Sequence, residues 1–296
     1  MGTTVSIVLY ASGRAQADAA ARSAFARVRD LDRRLSDYDR ESELMRASAA
    51  AVARPVRVSA DLFEVLSRAQ AFGARTGGAF DITSGALTRL WRRARRQATL
   101  PADADVTAAR AVTGAHRLRL DPAGPSMRLE TGTHLDLGGI GKGYAADGAL
   151  AALRNLGVSR ALVAAGGDIA IGGAPPETHG WTVAVAPLGG STPPGVPLVL
   201  SQAGVSTSGD AEQWVEIGGT RYSHILDPRT GRPLTGRRSV TVVARDATTS
   251  DMLATTVCVL GRDAGAALIE TIDGASAAIG IEQDGLPQWT TTQRWR

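Results

Sequence analysis

Gln213-Trp214-Val215-Glu216-Ile217-Gly218-Gly219-Thr220-Arg221-Tyr222-Ser223-His224-Ile225-Leu226 reads as two strands joined by a two-glycine turn. Residues 213–217 and 220–226 carry β-branched and aromatic side chains, and Gly218-Gly219 suits the positive φ angles of a two-residue hairpin. The pattern extends both ways. Residues 198–207 read as a strand before the hairpin and 239–244 as one after it, with no helix between. A cluster of strands in succession argues for an α+β fold, with mixed, mostly antiparallel sheets and flanking helices, and not for a strict βα alternation.

Outward from this cluster the period changes. Residues 247–260 and 262–272 read as helices, followed by a last strand near 275–282. Toward the N-terminus, 187–197 is rich in glycine and proline and reads as a loop, 160–171 as one buried strand, and 141–156 as a helix ended by Gly157. His116–Leu120 and Met127–Glu130 alternate as strands around a turn at Asp121–Pro125. Residues 85–97 and 103–112 suggest two shorter helices. Leu62, Val65, Leu66, Ala69 and Phe72 define a helix over 60–75, capped by Ser59 or Asp61. Residues 47–55 read as an alanine-rich link, 14–36 as an amphipathic helix and 3–10 as a strand. No internal repeat is visible.

The chain has 296 residues, 44% of them hydrophobic, enough for a large core and unlike a disordered protein. Its 33 Lys plus Arg and 29 Asp plus Glu leave only +4. The one dense basic cluster, Arg92-Arg93-Ala94-Arg95-Arg96, lacks interleaved aromatics and reads as a solvated helix face; no nucleic-acid partner is expected. A single cysteine, Cys258, excludes an intramolecular disulfide framework and Cys-based metal sites. No apolar run is long enough for a transmembrane segment. No secretory signal is visible, which reads as cytoplasmic by sequence.

Four segments carry chemistry. Gly77-Gly78-Ala79-Phe80-Asp81-Ile82-Thr83-Ser84-Gly85 places glycine, an aromatic, a carboxylate and hydroxyls between two helices, a setting that a plain interhelical loop also explains. His134-Leu135-Asp136-Leu137-Gly138-Gly139-Ile140-Gly141-Lys142-Gly143-Tyr144 runs from a strand end through glycines into a helix, where free N–H groups suit phosphate. Its spacing matches neither a P-loop nor GxGxxG. Lys142 is the only lysine against 32 arginines. A helix start disfavours a cation, so an ammonium retained there suggests an anionic partner.

The third segment is Ser206-Thr207-Ser208-Gly209-Asp210 followed by Tyr222–Gly231. Of four histidines only His224 lies in a dense polar cluster, as a base or a structural hydrogen-bonder. The fourth is Ala247–Thr256, where Asp251 and Thr255 share one helix face. A carboxylate and a hydroxyl there can hold Mg²⁺, which takes hard oxygens and keeps waters; an acid near a helix start is also favoured by the dipole alone.

In this order, Asp136–Asp147, Ala165-Gly166-Gly167-Asp168, Tyr222–Gly231 and the Asp251/Thr255 helix resemble the ApbE family of FAD:protein FMN transferases, over nearly the whole chain. The resemblance implies an ApbE-like, T-fold-related architecture over residues 1–296, built as one domain or as two lobes with the FAD site between them. It implies a Mg²⁺-dependent enzyme with FAD as substrate, passing FMN to a threonine or serine hydroxyl of an acceptor flavoprotein and releasing AMP. A Mg²⁺-dependent FAD pyrophosphatase and a non-catalytic FAD-binding protein are the alternatives. By matching positions, the flavin-nucleotide contacts fall on Met1, Tyr38, Ala79, Phe80, Asp81, Asp136, Lys142 and Ile225. The metal ligands fall on Gly139 (through its carbonyl), Asp251 and Thr255, and the base on His224. Tyr38, Phe80 and Met1 are then expected to pack on flat rings. Many relatives are exported, membrane-anchored lipoproteins, in contrast to the absence of a visible signal here.

Overall fold

The computed structural model describes residues 2–211 and 213–295. The chain opens with β1 (Val5–Tyr10), α1 (Arg14–Leu35), α2 (Glu43–Ala51), β2 (Val56–Arg57), α3 (Ala60–Arg75), α4 (Gly85–Gln97) and α5 (Asp103–Ala111). It continues with β3 (Leu118–Asp121), β4 (Ser126–Leu129), α6 (Gly141–Asn155), β5 (Arg160–Ala165), β6 (Asp168–Ile171), β7 (Trp181–Val183), β8 (Leu198–Leu200) and β9 (Ala203–Gly209). It closes with β10 (Trp214–Ile217), β11 (Thr220–Asp227), β12 (Arg232–Thr235), β13 (Arg238–Ala244), α7 (Ala247–Leu260), α8 (Arg262–Glu270), β14 (Ser276–Gln283) and β15 (Leu286–Thr291). These elements form two compact units: Met1–Asp32 with Ile140–Gly209 and Arg238–Arg296, and Arg33–Gly139 with Asp210–Arg237.

The first unit is built on a seven-stranded sheet in the order β1-β5-β6-β9-β13-β14-β15, with a β7-β8 ribbon. Helix α6 packs on β5 and β6, and α7 packs on β9, β13 and α6. Helix α7 is buried nearly all round, from Ala247 to Val259, so it is a core helix and not an amphipathic surface one. Two glycines set how closely its start can approach its neighbours. A Cβ on Gly143 of α6 would collide with the Ala247 carbonyl, and one on Gly204 of β9 with the Asp246–Ala247 backbone. Small side chains serve the same purpose where α1, α6 and β5 meet, at Ala20, Ala24, Ala146, Ala149 and Ala161.

The N-terminus of α7 is capped twice. Asp246 accepts from the Thr249 N–H at 2.7 Å. Asp147, from α6, accepts from the N–H groups of Ala247 and Thr248 at 3.0 and 2.8 Å and from Thr248 Oγ1 at 2.5 Å. Three donors on one carboxylate satisfy the free N–H groups of a helix start and lock α7 to α6.

The second unit holds two three-stranded sheets, β2-β4-β3 and β10-β11-β12, with α2 to α5. Its core includes Leu87, Trp91, Ala94, Val106 and Leu226. Trp91 stacks on Tyr222 and donates from Nε1 to the Gly231 carbonyl at 2.8 Å, which ties α4 to the turn after β11.

Every named strand pair is antiparallel, and among the described residues the only parallel pairing is an isolated bridge between Ser84 and His134. The α+β reading and the Gly218-Gly219 hairpin therefore stand. Five expectations fail. The strand near 275–282 is not the last, because Asp284-Gly285, both at positive φ, turn the chain back into β15, which pairs with it. The strand over His116–Leu120 begins only at Leu118, because Ala115–Arg117 forms a single 3-10 turn. The alanine-rich link is largely helix α2, because Ser42 caps it by accepting from Met45 N–H and alanine favours helix. The single strand over 160–171 is the hairpin β5-β6, because Gly166, at φ +62°, turns the chain. The strand over 198–207 is broken at Ser201-Gln202 into β8 and β9, with Gln202 left-handed at φ +52°.

Candidate active site

In the first unit, Lys142 is the second residue of α6, whose start has no side-chain cap. Its Nζ lies 2.9 Å from Asp168 Oδ2 and 3.7 Å from Asp251 Oδ2. The lone lysine is thus no accidental surface residue; two carboxylates offset its position at the positive end of the helix. Burial alone would lower its pKa, but Asp251 and Asp168 hold the ammonium above the ordinary lysine range. Asp251 Oδ2 also accepts the Gly143 N–H at 3.0 Å. Burial first, and then Asp168, push the Asp251 carboxyl up to about 7, against the pull of Lys142 and the Gly143 N–H. Thr255, one turn on, has its Oγ1 3.3 Å from Ser208 Oγ on β9.

This cluster fits a hard divalent cation. Asp168 Oδ2 is buried and, beyond its ion pair with Lys142, has no hydrogen bond among the described residues. With both acids ionised, two buried carboxylates against one ammonium leave an excess of negative charge, which is what burial and Asp168 resist in raising Asp251 and what a cation would relieve. The available donors are carboxylate and hydroxyl oxygens, which suit Mg²⁺. Among the described residues no group of three or more His, Cys, Asp and Glu converges as a ready-made cage. Mg²⁺ does not require one, because it commonly uses one or two carboxylates with water and substrate phosphate.

In the second unit, Tyr38 and Asp136 come together around Arg92. The Arg92 guanidinium lies 4.2 Å from the Tyr38 ring centroid. It donates to Asp37 Oδ2 at 2.6 Å and reaches Asp136 Oδ2 at 3.6 Å. Burial, then Asp136, push the Asp37 carboxyl up, while Arg92 pulls it down. Arg92 is therefore not part of a solvated face, as the run of arginines suggested. Asp136 Oδ1 accepts the Gly138 N–H at 2.8 Å, which shapes the glycine turn leading to Gly139.

Asp81 folds its own loop, accepting from the N–H and Oγ1 of Thr83 at 2.8 and 2.6 Å. Ala79 and Phe80 are only 2% and 5% exposed, and the Phe80 ring sits edge-on against Phe72. Its ring is thus committed to the core, unlike that of Tyr38. Ile225 is buried, with its N–H bonded to Ser223 Oγ at 3.1 Å. His224 is exposed, and its Nδ1 lies 3.1 Å from the Gln213 carbonyl. A carbonyl only accepts, so Nδ1 carries the proton and Nε2 presents the lone pair of the neutral ring. Met1 lies outside the described residues.

Sequence reasoning assigned no role to Asp168, Asp37 or Arg92. Asp168 did leave a trace, as a carboxylate closing Gly166-Gly167 inside an apolar run. Nothing in one dimension separates Arg92 from Arg93, Arg95 and Arg96.

The ApbE family model matches residues 1–279. An FAD:protein FMN transferase of Klebsiella pneumoniae is 32% identical over 300 residues, covering 99% of this chain and 86% of the relative. One from Salmonella typhimurium is 33% identical over 266 residues, covering 88% and 76%. Among solved structures, the flavin transferase ApbE from Vibrio cholerae superposes with a TM-score of 0.86 at 28% identity, covering 100% of this chain and 95% of that one. The apo form of Pseudomonas stutzeri flavinyl transferase ApbE gives 0.86 at 30% identity, covering 99% and 92%. The chain belongs to the ApbE family. Among the described residues no helix is long and apolar enough to cross a membrane.

Proposed function

We propose that this protein transfers FMN from FAD to a threonine or serine hydroxyl of an acceptor flavoprotein, with Mg²⁺, releasing AMP. The observation that carries the reading is the buried pair Asp168 and Asp251 sharing one ammonium, in a family whose similar members are FAD:protein FMN transferases. Asp251 and Thr255 on α7 would hold the ion. When bound, it supplies neutralisation of the pyrophosphate oxygens, which otherwise repel an incoming hydroxyl.

The side chains do the rest. Lys142 and the N–H groups opening α6, apart from that of Gly143, which Asp251 accepts, bind phosphate oxygens. Tyr38, Asp81, Asp136 and Ile225, with the Ala79-Phe80 turn and Met1, contact the nucleotide. His224 Nε2 takes the proton of the acceptor hydroxyl as its oxygen bonds to the FMN phosphorus. The phosphorus–oxygen bond to AMP breaks, and AMP leaves with that bond's electron pair.

The test is incubation with FAD, Mg²⁺ and a domain carrying an acceptor threonine, read by mass spectrometry. The expected result is a covalent flavin adduct with one AMP released per adduct. Free FMN without adduct identifies a pyrophosphatase, and intact bound FAD identifies a carrier; either outcome overturns the transferase reading.

A further inference from the structure

Arg92 is an unusual arginine. Its side chain is only 18% exposed, and the carboxylates of Asp37 and Asp136 beside it are each 13% exposed. Tyr38, whose ring it covers, is 68% exposed. One face of that ring is therefore fixed against a flat cation while most of the residue remains open to solvent. Buried arginine needs partners, and here it has two acids and an aromatic face.

We propose that Arg92 is a positioning residue for FAD: it holds the Tyr38 ring as a one-sided stacking platform and keeps the Asp136 carboxylate next to it, ready for a planar, N–H-bearing heterocycle. This rests on the reading that Tyr38 and Asp136 touch FAD. An exposed tyrosine left to itself samples several rotamers, and ordering it at the moment of binding weakens affinity. Stacking on Arg92 orders it beforehand. The Asp136 carboxylate is likewise held at both oxygens, Oδ1 by the Gly138 N–H and Oδ2 by the nearby guanidinium. Without Arg92, Asp37 and Asp136 would repel each other.

The geometry asks for a guanidinium. Its central carbon lies over the ring while its fork reaches two carboxylates; an ammonium supplies the charge but not the fork. Both the isoalloxazine and the adenine of FAD are flat rings with N–H groups that a carboxylate can accept, so the test must separate them.

FAD affinity and steady-state transfer are measured for Arg92→Lys, Tyr38→Ala and the double variant, with AMP and FMN as competing ligands. Arg92→Lys is expected to weaken FAD binding and raise KM about tenfold, with kcat within about twofold. The double variant is expected to lose less than the product of the two single losses, because Arg92 acts in part through that ring, and whatever it loses beyond Tyr38→Ala reports the Asp136 carboxylate. Of the two competitors, the one seated on Tyr38 loses affinity in Arg92→Lys and so names the ring. Unchanged FAD affinity in Arg92→Lys, losses that multiply in the double variant, or neither competitor weakened would each overturn the proposal. Unchanged affinity in Tyr38→Ala, a variant that leaves Arg92 intact, instead overturns the underlying reading of Tyr38 and takes the proposal with it. Should Arg92→Lys be too unstable to assay, Asp37→Asn loosens the same guanidinium without removing it. No loss of affinity there also overturns the proposal.

Discussion

Lys142 and Asp168 form an ion pair at 2.9 Å that joins the start of α6 to the first residue of β6. The Asp168 side chain is 3% exposed and that of Lys142 34%, so the acid has given up far more solvent than the base. Removing the ammonium would strand two buried carboxylates. Breaking a fully buried pair from one side costs about 3–5 kcal/mol, and the solvent reaching Lys142 reduces this to roughly 2 kcal/mol. Lys142→Met is therefore expected to lower stability by about that amount and to weaken FAD binding. Lys142→Arg should not restore binding, because a planar guanidinium does not fit the place of a compact ammonium. Urea titrations and FAD binding check both; full rescue by arginine would show that charge alone suffices.

Gly143 is a point of close approach between α6 and α7. Its N–H donates to Asp251 Oδ2, and an added Cβ would press on the Ala247 carbonyl and lie 2.9 Å from Asp251 Cβ. Backbone cannot yield as a flexible side chain does. Gly143→Ala is expected to shift α7, displace Asp251 and lose most transfer activity, with destabilisation of about 1–3 kcal/mol from overpacking. Activity assays beside thermal melts decide it: a variant with wild-type rates would mean that the position of α7 is not critical.

Asp147 gives a pH-dependent prediction. Its burial pushes the carboxyl above the usual value, although Thr248 and the Ala247 N–H pull it back. The folded chain thus holds this proton to higher pH than the unfolded chain. The stabilising contribution is fully present below about pH 4, the unfolded value, and is lost as pH rises through the folded pKa. Asp147→Asn removes the titration. Relative to that variant, the wild type is expected to lose stability as pH rises from 4 toward neutrality. Denaturant titrations along that range test it, and parallel stability curves would refute the shift. Asp147→Ala, which removes the cap outright, should cost about 1–2 kcal/mol.

These residues differ in how visible they are in one dimension. The hairpin at Gly218-Gly219 is legible because turn chemistry and alternation are local, and α3 because its apolar period runs between Ser59 and Gly77. Helix α2 is hidden by an alanine stretch with little hydrophobic contrast, and the β5-β6 turn by lying inside an apolar run. Lys142 stands out as the single lysine. Its pairing with Asp168 is invisible, since only the sheet order brings β6 beneath α6. Arg92 is harder still. Its partners Asp37 and Asp136 lie far along the chain on either side, and the neighbouring arginines mask it. Residues defined by their own type can be read from sequence, while residues defined by a long-range partner cannot.

His224 provides the sharpest test of chemistry against binding. The Gln213 carbonyl at 3.1 Å fixes the proton on Nδ1, leaving Nε2 to accept one. A base acts on the acceptor hydroxyl, not on the resting flavin nucleotide, so its loss should fall on kcat. His224→Ala is expected to slow transfer by about 10²–10⁴-fold while FAD affinity stays within roughly twofold. Added imidazole should recover part of the rate, because it can supply the missing nitrogen in the space left by the side chain. Gln213 contributes only its carbonyl, so Gln213→Ala should leave the rate nearly unchanged. Stopped-flow transfer assays and equilibrium FAD titrations on the same preparations separate the two quantities. Parallel loss of affinity and rate, with no imidazole rescue, would make His224 a nucleotide contact and send the search for the base to another side chain.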